Sequence, residues 1–343
     1  MRILITSIGG TLIPALIKYL KKDKQLKNIF IIGVDKRNIK KKYFLLDKFY
    51  KLSESSSKNY IRKILEISIE EKIDLIIPYS DNESLQISKN INLFKKKKIS
   101  VMVNNYSTVK KIMNKEKTFK ILKKNNIYLP KFKIAKNIQE LKKNFSFFDY
   151  PLKSLILKPV ISIGGRGVVI LKGKNDKIQN WVGKGKREKV LSSKNVSLTK
   201  KFFKYGALMM MEVLNEPLYD VDNLFLKNKY ISIIRKRINP NGIPYKGNIL
   251  LKNNNITNYC KKITKILNLR FLTDIDLITD KFNNPCLLEI NPRPSGSVVI
   301  NYLAQIPLFS YAIALCLNKK YKIKLNYKKK KIINKVICNA RKL

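Results

Sequence analysis

The chain has 343 residues, 45% of them hydrophobic, which is a globular fraction at a length suited to two or three fused subdomains with separate cores. Lys and Arg number 72 against 23 Asp and Glu, giving a net charge of +49, and there is no histidine. The missing histidine excludes Ser-His-Asp and Cys-His catalysis, HExxH zinc sites and a histidine general base, so any chemistry must run on carboxylates, Lys/Arg, backbone amides or a hard metal.

Residues 2–8, RILITSI, predict a buried strand opening onto Gly9-Gly10. Leu12, Leu16, Ile17 and Leu20 follow at helical spacing, and NIFIIGVD is a second strand ending in Asp35. This is one βαβ unit of a doubly wound sheet. Full GxGxxG spacing is absent, so Gly9-Gly10 reads as a structural turn rather than a dinucleotide site. A helix over Tyr60–Ile69 and a strand over Ile73–Pro78 make a second unit. Asp81 and Glu83 follow that strand's carboxyl end, where such sheets place ligands. ISVMV (99–103) closes the set, giving a first domain over about 1–105.

Residues 106–128 predict a helical stretch before Pro130, then a strand, LPKFKIA. SLILKPV carries Lys158 into Pro159, and ISIGGRGVVIL turns it back as a hairpin through Gly164-Gly165-Arg166-Gly167. Residues 172–200 are polar and read as helix and loop. ALMMMEVL is an apolar strand whose methionines read as core, ending at Glu212-Val213-Leu214. LYDVDNLF and KYISIIRKRI predict paired antiparallel strands, and 256–268 predicts a helix. DIDLITD and PCLLEINPRPSG are two strands with acids near their ends. The domain limits expected are 1–105, 106–318 and a basic tail over 319–343.

Only ten of the 72 cations are arginines, and the lysines run along the whole chain among many Ile and Asn. All three residues have A/T-rich codons, so codon drift accounts for the charge. Runs such as 95–98 and 328–331 read as solvated faces. A nucleic-acid binder would gather Arg and aromatics in one stripe, so no specific nucleic-acid partner is expected. Cys260, Cys286, Cys316 and Cys338 form no CxxC pair and read as reduced residues. With no apolar run of membrane length and no secretory-type N-terminus, a cytoplasmic protein away from membranes is expected.

Three features carry chemistry, in order: Lys158 before a glycine-rich loop, a strand ending Glu212-Val213-Leu214, and Asp276 followed by Glu289-Ile290-Asn291-Pro292-Arg293. Glycines admit phosphate oxygens to backbone N–H groups, and Lys158 can neutralise their charge. A strand end can offer one carbonyl and one N–H to an adenine edge. Strand alternation puts Glu289 and Asn291 on one face with Ile290 opposite. With Asp276 on a neighbouring strand they suit Mg²⁺ completed by phosphates. Arg293 can hold a transferring phosphoryl group.

These residues, ILKPVISIGGRGVVIL (156–171), MMMEVL (209–214), YDVD (219–222) and LLEINPRPSG (287–296), resemble the ATP-grasp superfamily and its carbamoyl-phosphate-synthase-like branch. The N-terminal ILITSIGG, GVD and IIPYSDNE segments resemble that family's preceding domain. The resemblance implies an α/β chain: an N-terminal Rossmann-like parallel-sheet domain, then a two-lobed α+β ATP-grasp domain. It implies ATP and Mg²⁺ (or Mn²⁺) as cofactors. Lys115 and Lys158 would contact nucleotide phosphates, and Gly164, Gly165, Arg166 and Gly167 would cover them. Glu212, Val213 and Leu214 would meet adenine, while Asp276, Glu289 and Asn291 would hold the metal. Arg293, with Arg235 or Arg237, would face the γ-phosphate. Leu218 stands where a ribose-binding Glu is expected, and Asp276 where the branch often has Gln. The activity implied is a carboxylate–amine ligase working through an acyl phosphate on small molecules, with a homodimer as the expected assembly. A non-catalytic nucleotide-binding relic is the alternative, and a nucleic-acid-binding protein a more distant one.

Overall fold

The computed structural model describes residues 1–39, 45–162, 167–175, 189–214, 217–238, 247–325 and 330–332. The first βαβ unit forms as expected. Strand β1 (Arg2–Thr6), helix α1 (Ile13–Lys22) and strand β2 (Phe30–Asp35) are followed by a short strand, β3 (Lys48–Lys51). Helix α2 (Tyr60–Glu70), strand β4 (Leu75–Ile77), helices α3 (Asp81–Lys89) and α4 (Ile91–Lys96) and strand β5 (Ser100–Val101) complete the domain. The sheet is parallel throughout, in the order β3-β2-β1-β4-β5. Alternate residues feed opposite faces. Ile3 and Ile5 pack with α1, while Leu4, Ile32 and Ile76 pack with α2.

Gly9 sits in a crowded first turn. Its N–H donates to Asp35 Oδ2 at 2.7 Å, and the Arg37 guanidinium lies where a side chain would go, 1.8 Å from an ideal Cβ. The acid ending β2 is therefore engaged by the turn itself, as the structural-turn reading expects.

The stretch 106–128 is two helices, α5 (Tyr106–Ile112) and α6 (Lys115–Lys124), where one was expected. The break falls at Met113-Asn114, where the Asn114 side chain leaves the helical pattern to accept from Lys117 N at 2.9 Å. Strand β6 (Phe132–Ala135) and helix α7 (Ile138–Lys143) lead to β7 (Leu155–Pro159) and β8 (Val169–Leu171). These two pair as the expected hairpin, though Gly164, Gly165 and Arg166 of its loop lie outside the described residues. Strand β9 (Lys189–Leu191) adds a strand where helix and loop were expected, and 3₁₀ turns over Ser193–Tyr205 lead to β10 (Leu208–Glu212). This smaller sheet runs β6-β10-β7-β8-β9. Its Met triplet is core on both faces: Met209 and Met211 on one, Met210 on the other.

The third sheet contains β11 (Leu218–Leu226), β12 (Lys229–Arg237), β13 (Asn248–Leu251), β14 (Phe271–Thr279) and β15 (Pro285–Asn291). With β16 (Lys330–Ile332) its order is β15-β14-β11-β12-β13-β16, every pairing antiparallel. Strand β16 comes from the basic tail, so part of 319–343 belongs to the sheet. One face, with Ile234, Ile275 and Leu287, packs on helix α8 (Asn254–Leu267), on Phe119 of α6, and on Met209 and Met211. The other face carries Leu224, Ile233 and Leu272 into the same core as Ile3, Ile5 and the helices α9 (Ile300–Leu303) and α10 (Leu308–Cys316). No helix of the described residues is long and apolar enough to cross a membrane.

Candidate active site

The face shared with the N-terminal domain changes character along its strands. Leu224 lies opposite Leu272 and Ile231. Two residues on, Asp222 lies opposite Asp274 and Ile233, and two further, Asp220 lies opposite Asp276 and Arg235. Strand alternation keeps all of them on one face. Asp274 lies opposite Asn291 and Asp276 opposite Glu289, so the row Arg235–Asp220–Asp276–Glu289 extends across four strands. Ile290 packs into the opposite core, as the alternation expects.

The β14–β15 ladder slips just beyond those rows. Asp276 pairs with Glu289, but Leu277 pairs with Leu287, so Leu288 is an extra residue. Such a bulge takes a residue out of regular pairing and re-aims its carbonyl. The Leu288 carbonyl accepts from Lys158 Nζ at 2.9 Å. Lys158 comes from β7 in the smaller sheet and lies 5.7 Å from the Phe119 ring centroid. Burial, then the nearby Lys115 cation, pushes its ammonium down to about 7, against the pull of Glu289 and Asp276.

Lys115 is the first residue of α6, where a cation opposes the helix dipole. It is nonetheless buried. Its ammonium donates to Ser162 Oγ at 3.0 Å and lies 3.4 Å from Glu289 Oε2. Burial alone would raise Glu289, but Lys115, Lys158 and Arg293 hold its carboxyl below the ordinary value.

Asp220, Asp274 and Asp276 bring carboxylate oxygens within 4.8 Å of one another. Burial and the neighbouring carboxylates push Asp274 up to about 6, and burial with Asp274 pushes Asp276 well up. Asp220 goes the other way, down to about 2: burial opposes its charge, but Arg237 and Arg235 outweigh it. Asp274 Oδ1 is buried without a hydrogen-bond partner. Crowded, hard, partly orphaned oxygens of this kind fit a divalent cation such as Mg²⁺. Of the expected metal residues, Asp276 sits in this group. Asn291 touches it by donating to Asp274 Oδ2 at 3.2 Å, and Glu289 adjoins it across the ladder.

The three arginines behave differently. Arg237 reaches Asp220 and, at 3.2 Å, Asp276. Arg293 donates to Asp274 Oδ2 at 3.0 Å and lies 3.2 Å from Asp81 Oδ1, in the N-terminal domain. Arg235 departs from the expectation of a phosphate contact. It is fully buried, with Nε on Asp222 Oδ2 (2.9 Å), Nη1 on Ser297 Oγ (2.7 Å) and Nη2 on Ser295 Oγ (3.1 Å). All three nitrogens are engaged by protein groups, which makes Arg235 a brace for the 293–297 segment.

At the other edge, Glu212 Oε1 accepts from Lys131 N at 2.6 Å, stapling the end of β10. Val213 and Leu214 follow it, half-buried and outside any strand. Gly167, the described residue of the glycine-rich loop, has φ +81, a conformation that favours glycine. Of the acids after β4, Asp81 reaches Arg293. Glu83 instead turns inward to Thr6 Oγ1 (2.5 Å), Tyr60 and Ser80. Asp220 and Asp222 lie in the YDVD segment and Asp274 in DIDLITD, but the sequence alone assigns none of the three a role. Their i, i+2 spacing to one another and to Asp276 is the same signal that paired Glu289 with Asn291.

A family model described as ATP-grasp in the biosynthetic pathway with Ter operon matches residues 204–337, and one described as PylC-like, N-terminal domain matches 3–102. A formate-dependent phosphoribosylglycinamide formyltransferase of Prochlorococcus marinus (strain NATL2A) is 32% identical over 124 residues, 34% of this chain and 30% of that protein. The aligned part thus spans under a third of this curated relative. Among solved structures, the ADP complex of N5-carboxyaminoimidazole synthetase from Staphylococcus aureus superposes with a TM-score of 0.71 at 14% identity, covering 95% of this chain and 79% of that one. An L-amino acid ligase from Bacillus licheniformis gives 0.68 at 14% identity, covering 92% and 74%. The fold is theirs: an N-terminal parallel sheet followed by a mixed five-stranded sheet and an antiparallel six-stranded one.

Proposed function

We propose that this chain, matched by an ATP-grasp model over residues 204–337 and sharing the fold of the solved structures above, is an ATP- and Mg²⁺-dependent ligase of the ATP-grasp superfamily joining a small-molecule carboxylate to an amine or related nucleophile. The carboxylate attacks the γ-phosphate to give an acyl phosphate and ADP, and the nucleophile then displaces phosphate. One observation carries the reading: two buried lysines, Lys115 of α6 and Lys158 of β7, close on Glu289 and Leu288 beside the Asp220/Asp274/Asp276 group. That is a cationic wall facing a metal-suited wall, as a metal–triphosphate complex requires.

Lys115 and Lys158 neutralise the nucleotide phosphates, and Glu212, Val213 and Leu214 edge the adenine. Asp276, Glu289 and Asn291, supported by Asp220 and Asp274, hold Mg²⁺ or Mn²⁺. Bound there, the cation neutralises charge developing on the phosphoryl oxygens. Arg293 and Arg237 orient the transferring group. Positioning and electrostatics supply the catalysis, with no histidine needed. The need for ATP sets the work in the cytoplasm, and a homodimer is the assembly to test for, since a biotin carboxylase domain among the structural neighbours is described as a dimer.

A phosphate-release screen with Mg-ATP against pooled amino acids, sugar acids and amines tests the reading. Release that needs one acid pool and one amine pool is expected. No release from any pool, alongside thermal stabilisation by ATP, would favour the non-catalytic alternative.

A further inference from the structure

The N-terminal domain touches the 293–297 segment at two points. Tyr79, just beyond β4, donates its hydroxyl to the Ser295 carbonyl at 2.8 Å. Asp81, the first residue of α3, lies 3.2 Å from Arg293 Nε, an ion pair without hydrogen-bond geometry that leaves Asp81 Oδ1 otherwise unpartnered. Both side chains are buried, at 9% and 4% exposure. Ser80 caps α3 by accepting from Glu83 N, which sets the backbone from which Asp81 projects. On the other side, Asp274 takes Arg293 Nη1 at 3.0 Å.

A guanidinium is a rigid planar fork, so two acids on two of its nitrogens set the direction of the third. Nη2 is the Arg293 nitrogen without a partner among the described residues. We propose that Asp81 is a positioning residue: reaching across from the N-terminal domain, it holds Arg293 against Asp274 so that Nη2 is presented to the phosphoryl group being transferred. This rests on the ligase reading for the identity of the group at Nη2, and on the geometry alone for the hold on Arg293. The domain that is not expected to bind ATP would then set how well the γ-phosphate is gripped.

The test compares affinities for Mg²⁺ with AMP-PNP and Mg²⁺ with ADP by calorimetry, in the full chain carrying Asp81→Asn, Asp81→Glu, Tyr79→Phe or Arg293→Met. The AMP-PNP/ADP affinity ratio should fall at least fivefold in Asp81→Asn and Arg293→Met, with ADP affinity unchanged. It should recover by half or more in Asp81→Glu, and fall about twofold in Tyr79→Phe, which keeps the proposal testable if Asp81→Asn does not fold. In ¹⁵N-arginine-labelled protein, the Arg293 Nε–H signal, assigned from its loss in Arg293→Met, should exchange faster with water in Asp81→Asn. A ratio that holds or rises in Asp81→Asn while falling in Arg293→Met would overturn the positioning role and leave the ligase reading standing. A ratio that Arg293→Met does not change would overturn the phosphoryl contact itself. In that case an unchanged Arg293 exchange rate in Asp81→Asn would remove the hold on Arg293 as well.

Discussion

The two ends of one sheet face make the most useful contrast in the molecule. Where Leu224, Ile231 and Leu272 meet, the face is sealed against the N-terminal sheet and its helices, and its only task is burial. One or two residue pairs along, Asp220, Asp222, Asp274 and Asp276 occupy the same pleat positions and oppose one another. Like charges placed directly across a ladder destabilise it. The apolar end anchors the strands so that the charged end can be held together in spite of that repulsion, with Arg235, Arg237 and Arg293 compensating part of the charge.

Leu272→Ala should cost the most in folding free energy, about 2–5 kcal/mol by the usual cost of truncating a buried leucine, with nucleotide affinity unchanged; denaturant unfolding and calorimetry check this. A loss of nucleotide affinity without destabilisation would break the contrast. At the charged end, Glu289→Gln should keep the fold but lower the melting temperature, since buried Lys115 loses its carboxylate partner, and should lower ATP turnover by about a hundredfold or more, since a preorganised charged contact contributes several kcal/mol. Steady-state turnover, once a substrate pair is found, decides it.

Lys158→Met should weaken binding of a non-hydrolysable ATP analogue at least about tenfold, the scale of a charge-assisted contact in a desolvated cleft. It also carries a pH signature. The folded-state value of about 7 lies below the ordinary 10.5, so between them the unfolded chain holds more protons. Wild-type stability should therefore rise relative to Lys158→Met as pH increases from about 7 to about 10, which unfolding curves at both ends of that window measure. The smallest effect is expected from Lys96, exposed in the 95–98 run. Lys96→Met should change analogue affinity less than about twofold, because water and salt screen it. Equal effects from the two lysines would mean that the general field of the protein attracts the nucleotide.

What the sequence made legible follows from periodicity. The βαβ unit, the β11–β12 pair and the shared face of Glu289 and Asn291 all rest on alternation or helical spacing over enough residues to be read. Strand β3, KFYK, is too short and too charged to stand out, and β9 lies in a polar stretch whose pairing with β8 is a tertiary fact. The bulge at Leu288 carries no Gly or Pro to mark it, so the Lys158–Leu288 contact could not be foreseen. The burial of Arg235 was hidden for a different reason. A strand arginine reads as exposed until Ser295, Ser297 and Asp222 are brought to it from two other segments.

The core that runs from Ile3 and Ile5 through α10 to Ile233 and Leu272 bears on how this chain is inherited as well as how it folds. The two family models match separate stretches, 3–102 and 204–337, yet the sheets those stretches build share one core. Cutting between them would expose the inner surface of both halves, and neither could be exchanged for a relative's half without a matching surface to receive it. The parallel sheet and the six-stranded sheet therefore behave as one unit of cooperativity, and changes that suit one to a new substrate must be tolerated by the other.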